Sequence, residues 1–78
     1  MYDFDIEEFN HECRWLSARA AEFAKSNNIP KYDVPYRIEF VEAEIIPILN
    51  KYFKVGSKEW SNQLSRVQAQ IHCELSFF

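Results

Sequence analysis

Apolar residues in the first third of the chain recur in steps of three and four: Ile6, Phe9, Cys13, Leu16, Ala20 and Phe23. That is the period of a helix with one buried face, and it predicts a helix over 5–27. Asp3 or Asp5 can cap its start, and Glu7 and Glu8 fall in the first turn, where the exposed backbone N–H groups favour acids. Asn27 and Asn28 followed by Ile29 and Pro30 form a stop signal. Asn tolerates the left-handed cap, and proline cannot continue a helix.

A second stripe, Ile38, Val41, Ile45, Ile48, Leu49 and Tyr52, predicts a helix over 34–54. Asp33 is placed to cap it, Pro35 falls in its first turn, and Gly56, the only glycine, fits a left-handed C-cap. Pro47 lies inside this helix, where it removes a backbone hydrogen bond and bends the axis at a cost near 3 kcal/mol in an isolated helix. Residues 36–40 also alternate polar and apolar, so a strand there, with a helix restarting near Ala43, competes with the long kinked helix.

The third stripe is Trp60, Leu64, Val67, Ile71, Leu75 and Phe78, behind a Ser57 cap, and predicts a helix over 57–76. Residues 67–77 alternate as a strand would, but Arg66, Gln68, Ala69, Gln70 and Glu74 favour helix and no turn signal interrupts the run. The pattern as a whole predicts an all-α fold, a compact up-down-up three-helix bundle spanning 1–78 as one domain. The alternative is a small α+β domain with strands near 35–41 and 67–77. In the bundle the first and third helices run parallel. Cys13 and Cys73 then sit about eight residues of rise apart, roughly 12 Å, which predicts two free thiols.

Composition narrows the function. The chain has 78 residues, a mass of 9.4 kDa and a net charge of −3. So short a chain supports one small core and almost no deep cavity. No apolar run approaches the roughly 20 residues of a membrane span, and the start lacks the basic region of a secretory signal. Two cysteines without a zinc-type ladder fit a reduced, cytoplasmic setting. His11, Cys13, His72 and Cys73 are ligand types, but the members of each pair do not share a helical face and the pairs lie at different levels, so no metal is expected. No phosphate loop or nucleophile–base spacing marks an enzyme, and neither a cofactor nor a small-molecule substrate is implied.

Aromatic residues make up 17% of the chain, and they direct the functional expectation toward binding. On a helical wheel Tyr36, Phe40, Ala43 and Pro47 gather at the pole opposite the core stripe of the middle helix. A second apolar stripe reads as a docking or self-association face; a buried strand face and ordinary apolar surface are the alternatives. Trp15, beside Arg19, is either a partner anchor or an edge-of-core ring. The acids Asp3, Asp5, Glu7, Glu8 and Glu12 would steer approach to a basic surface. A nucleic-acid contact through Arg37, Lys51, Lys54 and Lys58 is the alternative. It is opposed by Glu39, Glu42 and Glu44 and by the sign of the net charge. The expectation is therefore a small acidic protein-interaction domain without catalytic activity. It would be a subunit, adaptor or stoichiometric inhibitor of a larger assembly, binding another protein or itself.

Overall fold

The computed structural model describes residues 6–78; the proposed caps Asp3 and Asp5 lie outside them. The first helical stretch is two helices, α1 (Ile6–Cys13) and α2 (Leu16–Asn27), separated at Arg14 and Trp15. No glycine or proline marks this break. It follows from packing: α1 lies against the end of the middle helix, with Phe9 edge-on to Tyr52 and Phe53, whereas α2 packs on the last helix. Re-phasing at Trp15 buries both Leu16 and Ser17. The predicted stop is present, with Asn28 in the left-handed conformation at φ 57° and its N–H bonded to the Ala24 carbonyl.

The middle segment opens on a 3-10 turn (Lys31–Tyr36) that delivers Val34 and Pro35 to the core. Extended backbone at Arg37 separates it from the helix proper, so Asp33 belongs to the turn and does not cap that helix. The helix then runs as α3 (Ile38–Phe40), a π-helical stretch (Val41–Ile45) and α4 (Ile46–Tyr52). Pro47 supplies the reason for the wide turn. Its ring would strike the Ala43 carbonyl of a regular helix, and it has no N–H to donate. The chain instead takes one extra residue per turn, and the Ile46 N–H reaches back five residues to the Val41 carbonyl. The helix ends at extended Phe53, and Gly56, at φ 80°, serves the Lys54–Ser57 turn and not the helix cap.

The last helix, α5 (Lys58–Glu74), is capped as predicted, the Ser57 hydroxyl accepting from the Trp60 N–H, and a 3-10 turn (Leu75–Phe77) follows it. Neither alternating run is a strand: 36–40 spans the end of the 3-10 turn, extended Arg37 and α3, while 67–77 is helical, and no strand occurs among the described residues. The chain runs up, down and up. Glu12 meets Lys51 and Arg19 meets Glu44, pairs that run in opposite directions along the sequence, so the middle segment is antiparallel to the first. Ser17 donates to Glu74, while Phe9 shares a cleft with Gln63 and Val67, so α5 runs parallel to the first. Cys13 lies beside Val67, and Cys73 adjoins the Glu74 that meets Ser17. Cys73 thus lies six residues beyond Val67, about 9 Å of helical rise, and both thiols are free, as predicted.

Candidate interaction surface

Phe40 corrects the helical-wheel expectation. It is 1% exposed, packed edge-on against Phe23, and cannot belong to an exposed stripe. A regular wheel assigns 100° per residue. Across the wide π turn Phe40 instead lies above Ile45, and both face the core. The same phase change leaves Ile38, predicted for the core, exposed.

The remaining members of the predicted set are split between two places. Trp15 (57% exposed) immediately precedes α2, one turn before Arg19, and Arg19 pairs with Glu44 at 3.0 Å across to the π-helical stretch that holds Ala43 and precedes Pro47. Ala43 and Pro47 are exposed. Arg19 is thus committed to a carboxylate. Tyr36 is elsewhere, at the junction of the 3-10 turn and the end of α5, in a group that sequence reasoning did not find.

That group is Tyr32, Tyr36 and His72. The imidazole of His72 lies 5.1 Å from the Tyr32 ring and 5.8 Å from the Tyr36 ring, centroid to centroid. Tyr32 and Tyr36 are four residues apart on a turn, and His72 approaches from the last turn of α5. The Gln68 side chain donates to the Pro35 carbonyl at 3.0 Å, fastening turn to helix. Lys31 lies over the Tyr32 ring and donates to the Phe78 carbonyl at 2.8 Å, which joins the C-terminal turn to the same end of the bundle. Tyr36 is 55% and Phe77 84% exposed. The only sequence signal for this cluster was the aromatic excess; the partner ring comes from a helix more than thirty residues away.

The acidic residues also divide. Glu7 and Glu8 are exposed on α1, whereas Glu12 accepts hydrogen bonds from the Tyr52 hydroxyl and from Lys51. The Tyr52 bond, then Lys51, holds the Glu12 carboxyl below its ordinary range, and the same bond, with burial, pushes the Tyr52 hydroxyl up to about 12. Glu12 is therefore a tie between α1 and α4, not a steering charge. Lys51, proposed for nucleic acid, is spent in the same tie, leaving Arg37, Lys54 and Lys58 exposed.

Burial pushes the Cys13 thiol up to about 11, whereas Cys73 is exposed. No group of residues suited to holding a metal occurs among the described residues, and none of their helices is long and apolar enough to cross a membrane. Comparisons with protein-family models, with curated proteins and with solved structures find no match to this chain.

Proposed function

We propose that this chain is a non-catalytic protein-binding domain, a small subunit, adaptor or inhibitor of a larger assembly, which docks through the aromatic end of its bundle. The observation that carries this reading is the exposed Tyr32–His72–Tyr36 cluster, built from two elements that the Gln68–Pro35 hydrogen bond joins. Large rings held at fixed orientation bury much area at little entropic cost, the chemistry of interface anchors. Trp15 is a separate exposed ring at the start of α2, and Glu7 and Glu8 bias approach toward basic partners.

The test is site-specific photo-crosslinking in the source cell, with the reactive group at Phe77 and, as a control, at exposed Val55. The reading expects a discrete adduct from position 77 that disappears when Tyr32 and Tyr36 are both changed to Ser, with helical content unchanged by circular dichroism. An adduct from 77 that survives the double substitution, or equal adducts from both positions, would overturn it.

A further inference from the structure

A cleft of about 300 Å³ opens between α1 and α5, far from the roomless surface expected of so short a chain. Phe9, Cys13 and Val67 give it apolar walls, and Asn10, Gln63 and Arg66 supply its polar groups. Gln63 is the anomaly. It occupies the core stripe one turn before Val67 and two before Ile71, is 8% exposed, and its Oε1 has no hydrogen-bond partner. Leaving a buried amide oxygen unpaired destabilises the fold, a cost that an apolar side chain of the same shape would avoid. Arg66 is the one charged side chain among the described residues lining the cleft, and it has no ion pair among them. The neighbouring Gln70 is already engaged, donating to Glu74 at 3.3 Å.

We infer that this cleft is a binding site for a small organic anion, with an apolar body and a hydrogen-bond donor at the end remote from its charge. The ligand's carboxylate meets the Arg66 guanidinium, in the planar, forked pairing that guanidinium favours. Its body lies on Phe9 and Val67. Its donor satisfies the Gln63 oxygen, which a turn about the soft terminal torsion of the amide presents to the cleft. The site is distinct from the aromatic cluster, since it uses α1 and the middle of α5 and shares no residue with Tyr32, Tyr36 or His72, and no group in it is assigned a reaction.

The test is a titration of the full chain, followed by amide and side-chain NMR shifts, with 4-hydroxybenzoate as probe. Two analogues each lack one feature: 4-methoxybenzoate lacks the donor and 4-methylphenol lacks the charge. The expected result is saturable shifts at Gln63, Asn10 and Val67, with at least tenfold weaker binding for each analogue and for Arg66→Gln. Gln63→Met should abolish binding of 4-hydroxybenzoate while raising Tm, because it removes the unpaired oxygen. Absence of shifts at 20 mM probe, equal binding of the three compounds, or a Gln63→Met variant that loses stability would each overturn the inference. The last outcome would assign Gln63 a purely structural role. None of these outcomes bears on docking at Tyr32 and Tyr36.

Discussion

Glu12 and Tyr52 are the residues at which a single hydrogen bond has a measurable titration signature. The bond stabilises the carboxylate and the neutral phenol together, so the two groups move apart in pKa. Glu12, depressed in the folded protein, contributes stability that is present above its unfolded value near 4.3 and lost as pH falls through its folded value. Tyr52, raised, contributes stability that is present below its unfolded value near 10 and lost as pH rises through about 12. Ultraviolet titration of tyrosinate should therefore show a late ionisation step near pH 12 that Tyr52→Phe removes and Glu12→Gln moves back toward 10. Glu12→Gln should also flatten the loss of stability below pH 4.5. An unshifted tyrosine step in Glu12→Gln would mean that burial, and not the carboxylate, holds the phenol.

At the scale of elements, Pro47 and the π-helical stretch form one unit. A π turn is an α-helix carrying one extra residue, so deleting exposed Ala43 should return 38–52 to regular helix and restore the four-residue spacing between Phe40 and Ile45. The deletion alone also returns the Pro47 ring to a carbonyl clash. The chain should then lose about 3 kcal/mol in urea denaturation, and Pro47→Ala should recover most of it. A deletion variant as stable as the parent would show that proline is not the cause of the wide turn.

This coupling also explains what was legible in the sequence. The stripes Phe9–Leu16–Ala20, Val41–Ile45–Leu49 and Val67–Ile71–Leu75, the Ser57 cap and the Asn28 stop all follow from local pattern, and each is present in the fold. Phe40 and Ile38 were misplaced because a wheel at constant pitch carries phase errors across a π turn. The break at Trp15 has no local signal, being imposed by α1 packing on α4 while α2 packs on α5. The Tyr32–His72–Tyr36 cluster and the Gln63 cleft are contacts between elements, invisible to any periodicity within one.

The whole molecule is an elongated bundle, 39 × 22 × 16 Å, and the aromatic cluster occupies one end of it. A stable symmetric dimer needs roughly 800 Å² from each partner. The cross-section of 22 × 16 Å is under half of that before side chains are counted, and the stripe that would have extended it along the middle helix is gone once Phe40 is buried. The expected arrangement is therefore a monomer that offers this end to a larger partner, whose socket encloses the end and the flanks of α5. Sedimentation equilibrium across a hundredfold range of concentration, to 100 μM, should give the 9.4 kDa monomer throughout. A dimer that Tyr36→Asp dissociates would make the aromatic end a contact between copies. A dimer indifferent to that change would move the interface to the exposed ring of Trp15 at the start of α2, where Trp15→Ser is the next substitution to try.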